Sequence, residues 1–385
     1  MPEFFDPTPQ ARARLDKVVA DIPGIQHTLV AKDPQLTRPD RAAHQQQIAA
    51  SKVLLEIAGT LPDALVGLGI FGRDAADAGH RVGIGRLSTG LGCPHAQTDP
   101  DFLGLMVAFL GPNGRRYDFI TINDPTSPTR TPEEFIALLK ATADSAGSSG
   151  LLASQTKLLL GLAHHAGVRA PAIATHVLGQ TLRTARSTTA YQQYWTGIVR
   201  ARDVLGKFTF VPASDHGAVK VERSNDYFSQ EWTARQSAGP LVFTLRWIPF
   251  LNEDKTPLTD LTAPWAQDHS VAVGTVTFPR IDPDATVAKL TALLASEMGA
   301  NPGHWDEMPD GPRADLPATE FTAARALVYR KSQDGRGALP DEAYASFFSS
   351  GEIGPALAAE LIRRYNEKRA AGHNVPSIGP LPAVQ

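Results

Sequence analysis

Cysteine is almost absent from this chain, since Cys93 is the only one among 385 residues. A single thiol cannot form an internal disulfide, and without companion cysteines it cannot build a zinc knuckle or an iron–sulfur site. Such a chain fits a reducing compartment. We therefore expect a cytoplasmic protein.

A strong charge bias and long apolar runs are also lacking. The 37 lysines and arginines nearly balance the 40 acidic residues, giving a net charge of −3, so there is no basic stripe of the kind that neutralises nucleic-acid phosphates. No run approaches the roughly 18 apolar residues that a membrane helix needs, and the first residues do not resemble a signal peptide. We expect neither a nucleic-acid partner nor a stable membrane span.

Short β-rich runs separated by Gly, Asp, Asn and Pro dominate the first two thirds of the chain and predict about eight strands, the number at which a barrel closes around a side-chain core. The predicted strands are Val53–Ile57, Arg81–Leu87, Gly104–Leu110, Tyr117–Ile122, Trp195–Arg200, Lys207–Pro212, Leu241–Leu251 and Ser270–Pro279. Three helices are predicted between the fourth and fifth strands, and more after Asp284. The fold class is therefore α+β, a closed antiparallel barrel with added helices.

The same pattern divides the chain into three regions. Residues 1–50 read as an N-terminal arm lying across the core. Residues 51–280 form the barrel, with a helical insertion at about 131–190 that follows the N-cap and N1 pair Thr131-Pro132. Residues 281–385 are helical and end in a Pro-rich, loose tail after His373.

Arg325 and Tyr329 stand four residues apart in a segment that favours a helix, so both project from one face. Arg336 lies seven residues beyond Tyr329 and falls near the same face if the helix continues. A guanidinium beside a phenol favours the phenolate by charge attraction. Taken alone, this spacing is more typical of an ordinary surface stack, but the pair can also supply an anionic oxygen ligand for ferric iron.

Three further patterns precede this one in the chain. They are Arg41-Ala-Ala-His44, Arg86-Leu-Ser88-Thr89 at the end of a predicted strand, and Asn123-Asp124-Pro125 at the end of another. Each is commonplace by itself, because a lone histidine is usually a surface or satisfied residue and Asn-Asp-Pro is above all a turn. Their order along the chain carries the information.

In that order the patterns resemble those of the haem catalases and of their short catalase-related relatives, which include allene oxide synthase domains. That family has Arg-x-x-His, then Arg-Phe-Ser-Thr, then a strand ending in Asn, then Arg-x-x-x-Tyr with another Arg seven residues on. The resemblance covers most of residues 40–336. It implies a catalase-like barrel that binds haem b (iron protoporphyrin IX) and acts on a peroxide.

The resemblance also assigns roles to individual residues. Tyr329 would be the proximal iron ligand, held as tyrosinate by Arg325, a known haem ligation. His44 would be the distal general base and then acid, moving a proton between the two peroxide oxygens. Asn123 would orient the peroxide, and Ser88 would hydrogen-bond His44. A further set, the propionate-binding guanidiniums, would be Arg41, Arg86 and Arg336.

Two departures from the family pattern leave the reaction open. His44 is followed by Gln45-Gln46-Gln47 rather than a basic residue and glycines, and Asp101-Phe102-Leu103-Gly104 replaces Asp-x-Arg-Gly. The leading interpretation is a hydroperoxidase acting on hydrogen peroxide or an organic hydroperoxide, with a small organic reductant as a possible partner. The alternatives are a hydroperoxide-rearranging enzyme, a non-catalytic haem-binding barrel, and a fortuitous resemblance in a barrel that binds something else. Terminal segments swap between subunits in the larger catalases, so a homodimer is a possible assembly.

Overall fold

The computed structural model describes residues 5–32, 39–72, 79–99, 101–147, 151–181, 187–213, 216–217, 219–305, 317–371, 375–376, 378 and 381. Most of the tail predicted after His373 lies outside these residues. Within them, no helix is long and apolar enough to cross a bilayer.

Antiparallel strands form the centre of the molecule. In the described part of the chain they are β1 (Gln47–Ile57), β2 (His80–Thr89), β3 (Leu103–Leu110), β4 (Arg116–Ile122), β5 (Tyr194–Thr196), β6 (Val199–Ala201), β7 (Val204–Pro212), β8 (Leu241–Pro249) and β9 (Val271–Phe278). The sheet order is β5-β4-β3-β2-β1-β9-β8-β7-β6, and β5 also pairs with β7. That pairing closes eight strands into a barrel with β6 attached to β7, which confirms the predicted fold class.

Aromatic side chains fill the barrel. Because side chains alternate across a strand, one face of each strand points inward, and this face carries large residues such as Phe119 on β4 and Phe208 on β7. Their ring centroids are 5.0 Å apart, and Trp305, from a short 3₁₀ turn, lies 5.0 Å from Phe208. The lumen is thus a packed core, so the large cavity described below lies outside the barrel.

Helices surround the barrel. They are α1 (Pro9–Ala20), α2 (Ile22–Lys32), α3 (Pro132–Ser145), α4 (Leu151–Ala166), α5 (Ala170–Thr181), α6 (Tyr227–Ala238), α7 (Thr286–Glu297), α8 (Glu320–Arg336), α9 (Ala345–Ser350) and α10 (Pro355–Ala370). Helices α3 to α5 form the insertion between β4 and β5. The sequence-based interpretation did not include α1, α2 or α6, and β1 begins at Gln47, within the residues expected as the arm.

Helix α8 is the element that carries the predicted iron ligand. The Thr319 side chain caps its first turn by accepting from the Thr322 N–H at 3.1 Å. The helix continues to Arg336 and stops at Gly337, whose φ of 63° is left-handed. Arg325, Tyr329 and Arg336 therefore lie on one continuous helix.

Candidate active site

A cavity of about 550 Å³ lies between the outer wall of the barrel and α8. On the barrel side, alternation places Leu87 in the core, whereas Arg86 and Ser88 face outward into the cavity. Arg325 and Tyr329 line the same cavity from α8. The structure thus brings strand and helix residues that are more than 200 positions apart to one site.

His44 lines this cavity from the turn that leads into β1. Its φ of 55° is left-handed, and its backbone N–H donates to the Gly90 carbonyl at 3.0 Å. The Ser88 hydroxyl donates to the Gly104 carbonyl at 3.3 Å, so its oxygen accepts from Nδ1–H of His44 at 3.2 Å. This tautomer leaves a lone pair on Nε2, and a backbone hydrogen bond with Thr89 also holds the ring.

The surroundings of His44 favour the neutral ring. Burial lowers the pKa of His44 to about 4, and the positive charges of Arg86 and Arg325 lower it further, against the opposing charge of Asp101. At neutral pH the imidazole is therefore uncharged and able to take a proton. The predicted contact between Ser88 and His44 is present in the structure.

Arg325 and Tyr329 lie side by side on α8, with the guanidinium carbon 5.7 Å from the centroid of the phenol ring. The backbone of Gly197 leaves room for this guanidinium, because a methyl group at that glycine would lie 2.5 Å from Nη1 of Arg325. A larger residue at position 197 would displace Arg325. Three elements, β5, β6 and α8, therefore meet around this pair.

Three guanidiniums converge elsewhere along the cavity wall. Arg41 and Arg336 donate to the same two carbonyls. Arg41 donates to Ser296 at 2.7 Å and to Met298 at 3.2 Å. Arg336 donates to Ser296 at 3.4 Å and to Met298 at 2.9 Å. Arg86 donates to the His44 carbonyl at 2.8 Å. We call Arg41, Arg86 and Arg336 the arginine cluster.

The arginine cluster holds more positive charge than its surroundings neutralise. Burial and the charge of Arg41 lower the pKa of Arg336 to about 9, although Asp40 and Glu297 oppose them. Burial and the same neighbour lower the pKa of Arg86 well below its ordinary value. A cluster in which cations disfavour one another is stabilised by anions, and guanidiniums bind carboxylates well.

Asn123 is placed differently from the other predicted residues. It follows the end of β4, and its side-chain oxygen accepts from the Leu103 N–H at 2.8 Å. Its amide group donates to Gln192 at 3.2 Å. Ile122 and Asp124 line the cavity but Asn123 does not, because its amide is used to hold the end of β3 beside β4.

Asp101 and His95 line the cavity but were not predicted from the sequence. The Asp101 carboxylate accepts from the backbone N–H groups of Gly90 and Leu91 at 2.8 and 3.1 Å, which holds the loop that receives the His44 N–H. Burial disfavours charge on His95, but the adjacent Asp101 outweighs it and raises the pKa of His95. The sequence contained one signal for this, because Asp101 occupies the aspartate position of the family tetrapeptide.

Comparison with known proteins supports the fold. By sequence, the chain matches no protein-family model and no curated protein. Among solved structures it is similar to a bacterial catalase (TM-score 0.57, 16% identity, 79% of this chain and 58% of that one). It is also similar to a fungal catalase, with a TM-score of 0.52 and 16% identity over 79% of this chain and 60% of that one. A third similar structure is catalase A from Saccharomyces cerevisiae, with a TM-score of 0.56 and 15% identity over 84% of this chain and 67% of that one.

The chain spans 58% to 60% of the length of the first two of these structures. At these identities the likeness establishes architecture. Together with the closed barrel it confirms the resemblance noted in the sequence: this protein has a catalase-like fold.

Proposed function

We propose that the chain is a haem-dependent hydroperoxidase, with Tyr329 as the iron ligand and His44 as the distal acid and base. The observation that carries this proposal is the position of His44. Ser88 contacts its Nδ1 at 3.2 Å, and the ring lines the cavity that also receives the Arg325–Tyr329 pair, where burial lowers its pKa and favours the neutral form. A base that is neutral at working pH and faces a roomy cavity is what proton transfer between peroxide oxygens requires.

The cavity residues fit haem b. Tyr329 offers a phenol oxygen, the ligand type of the catalases. The arginine cluster carries unneutralised charge that two propionates would complete. Apolar residues such as Met106, Ile120 and Val328 line the walls, as the flat faces of a porphyrin need. These three properties belong to one cavity and come from five separate parts of the chain: the turn before β1, strands β2, β3 and β4, and helix α8.

The proposed mechanism assigns each residue a step. Bound haem would supply the ferric iron that exchanges electrons with the peroxide. Nε2 of His44 takes the proton from one peroxide oxygen and returns it to the other, which leaves as water or an alcohol. Because burial and two arginines disfavour the imidazolium, His44 gives the proton back readily. Ser88 keeps the ring oriented throughout.

Other parts of the hydroperoxidase hypothesis come from the sequence. The predicted contact of Asn123 with the peroxide would require its amide to leave Leu103 and Gln192. A small organic reductant, a homodimeric assembly and a cytoplasmic location stay predictions. The substrate is either hydrogen peroxide or an organic hydroperoxide.

The visible absorption spectrum of the haem-loaded protein tests the proposal, measured before and after peroxide. We expect a high-spin ferric spectrum that peroxide perturbs and that Tyr329→Phe changes or abolishes. Tyr191→Phe, at a tyrosine that is 76% exposed, is the matched control and should leave the spectrum unchanged. A protein that takes up no haem would refute the assignment, and haem binding without turnover would indicate a non-catalytic haem-binding barrel.

A further inference from the structure

The helical insertion carries aliphatic side chains on its outer surface. Leu159 and Leu160 on α4 are 41% and 65% exposed, and Val168, in the turn between α4 and α5, is 97% exposed. Ala163, one helical turn after the leucines, and Pro171 at the start of α5 are also exposed. We call Leu159, Leu160, Ala163, Val168 and Pro171 the apolar tip. One exposed leucine is ordinary, but apolar surface gathered on one unit marks an interaction site.

The packing of the insertion does not use the apolar tip. Helices α4 and α5 bury Leu162 and Ile173 in a cluster with Leu138 and Ala141 of α3, and this inner face holds them to the rest of the molecule. A surface helix normally has one apolar stripe and turns a polar face to water. Helix α4 has exposed leucines on its outer side as well, which indicates a surface that contacts something other than water.

The segment that contains the apolar tip has no acidic residue. Positions 145–202 hold none of the 40 aspartates and glutamates of the chain but six of its 37 lysines and arginines. Because the whole chain has a net charge of −3, positive charge is concentrated in this segment. On α4, Lys157 is exposed three residues before Leu160 and therefore on the same face. No described acidic residue pairs with Lys157.

Two acidic side chains of α3 contact the insertion from its inner side. Asp144 lies 2.8 Å from Nε2 of His165, and Glu134 lies 2.9 Å from Nε of Arg169. Both carboxylates are thus engaged by basic groups of α4 and of the turn. They leave the outer face with aliphatic side chains and the charge of Lys157.

An anionic lipid bilayer fits this combination of properties. Leucine and valine side chains enter the boundary between headgroups and acyl chains, and lysine is attracted by anionic headgroups. A protein partner would be bound chiefly by aromatic and arginine side chains, and the apolar tip contains neither. Carboxylates, which anionic headgroups would repel, are missing from the same segment.

We propose that the apolar tip docks on the surface of an anionic lipid bilayer, with Leu160 and Val168 inserted and Lys157 among the headgroups. The contact is made at one leaflet and spans nothing. None of these residues lines the cavity, so the inference does not depend on haem or on the proposed function.

Flotation of the full chain with lipid vesicles tests the inference. We expect the protein to bind vesicles of equimolar phosphatidylcholine and phosphatidylserine more tightly than vesicles of phosphatidylcholine alone, and salt to weaken the binding. Val168→Asp and Leu160→Asp should each lower the partition coefficient about tenfold, because each removes one inserted apolar side chain and adds a repelled charge. Val287→Asp is the matched control, at a valine on α7 that is 58% exposed, and should bind as the unmodified protein does.

A second pair of variants tests the charge. Lys157→Gln should lower the partition coefficient on the phosphatidylserine vesicles about fivefold at low salt, the usual contribution of one lysine near an anionic surface. On phosphatidylcholine alone it should have no effect. Lys17→Gln, at an exposed lysine of α1, removes the same charge elsewhere and should change neither value.

Three results would overturn the inference. They are failure of the unmodified protein to bind the phosphatidylserine vesicles, equal binding of Val168→Asp and Val287→Asp, and self-association without vesicle binding that Leu160→Asp abolishes. The last result would assign the apolar tip to contact with a second copy of the chain. The substituted side chains are exposed, so each variant should keep the thermal unfolding midpoint of the unmodified protein. A protein that takes up no haem would refute the proposed function, yet its vesicle binding could still be measured.

Discussion

The imidazole of His44 lies against the Cα of Gly104. A methyl group built on that glycine would be 2.5 Å from Cε1 and 2.6 Å from Nδ1 of His44, which is too close for a methyl carbon. Ser88 contacts both residues, through Nδ1 of the histidine and the carbonyl of the glycine. The ring is thus fixed by a hydrogen bond at its edge and by bare backbone against its side.

The variant Gly104→Ala tests this packing. The added methyl group must push the imidazole away from the barrel wall, and a displacement of about 1 Å at a catalytic group can lower turnover about 100-fold. We expect that loss in peroxide turnover with haem retained. Gly239→Ala, where a methyl group meets no atom within 4 Å, should retain full activity. Unchanged turnover in Gly104→Ala would show that the ring position does not limit the reaction.

Removal of the Ser88 hydroxyl should free the His44 ring to rotate and change tautomer. Groups that orient a catalytic residue in this way typically contribute 10- to 100-fold, so we expect Ser88→Ala to lower kcat/KM about tenfold. The absorption spectrum should keep its ferric bands. The matched control is Ser349→Ala, an exposed serine on α9. A larger effect of Ser349→Ala than of Ser88→Ala would contradict this role.

The pH dependence of turnover should reflect the lowered pKa of His44. The base form is present above pH about 4, so we expect kcat/KM to stay level from neutral pH down to about pH 5 and to fall below that. An ordinary histidine would already lose activity near pH 6.5. A pH–rate profile with its acid limb near 6.5 would show that the site does not lower the pKa of His44.

The same shift has a consequence for the stability of the haem-free protein. Because the unfolded chain binds the His44 proton near pH 6.5 and the folded chain only near pH 4, the free energy of unfolding should fall as pH drops through that interval. His44→Gln should flatten the curve there. Urea unfolding at a series of pH values measures it, and an equally steep fall in His44→Gln would assign the dependence to other groups.

Neutralising one member of the arginine cluster should weaken haem binding. Arg336→Met removes one charge that a propionate would pair with, and a charge-assisted pair contributes roughly tenfold in affinity. We expect the rate of haem transfer to apomyoglobin to rise by about that factor. Arg369→Met, on the exposed part of α10, is the control. Identical transfer rates in the two variants would place the propionates elsewhere.

Much of the fold was predictable, because alternating strands with turn residues between them identify a barrel. The spacing of Arg325, Tyr329 and Arg336 likewise indicated one helix face. Helix α6 could not be recognised in this way, since its buried face carries Glu231, Arg235 and Gln236. Glu231 accepts from Arg235, whereas Gln236 accepts from Trp232 and donates to Ser51. Such buried polar residues erase the apolar periodicity on which prediction depends.

Helix α1 shows a different kind of omission. Thr8 and Pro9 are its N-cap and N1 residues, the same signal that identified α3, but the polar composition of the region concealed it. For the site, His44 and Ser88 were identified by the order of the family patterns along the chain, and the contact between them is present. The sequence did not reveal the position of Asn123, because tertiary packing fixes its amide partners Leu103 and Gln192. It did not reveal the burial of Lys207 either, because this residue alternates with aromatic residues on β7 and so resembles an ordinary exposed lysine.

The left-handed Gly337 ends α8 one residue after Arg336, and this fixes the length of that helix. One residue inserted between Tyr329 and Arg336 would turn the arginine by about 100° and shift it by about 1.5 Å, separating it from Met298 and from Arg41. Homologous chains that keep this site should therefore vary in length at their surface loops and never within this seven-residue interval. Related sequences can therefore be tested for this site from the spacing of the tyrosine and the arginine alone, without a structure.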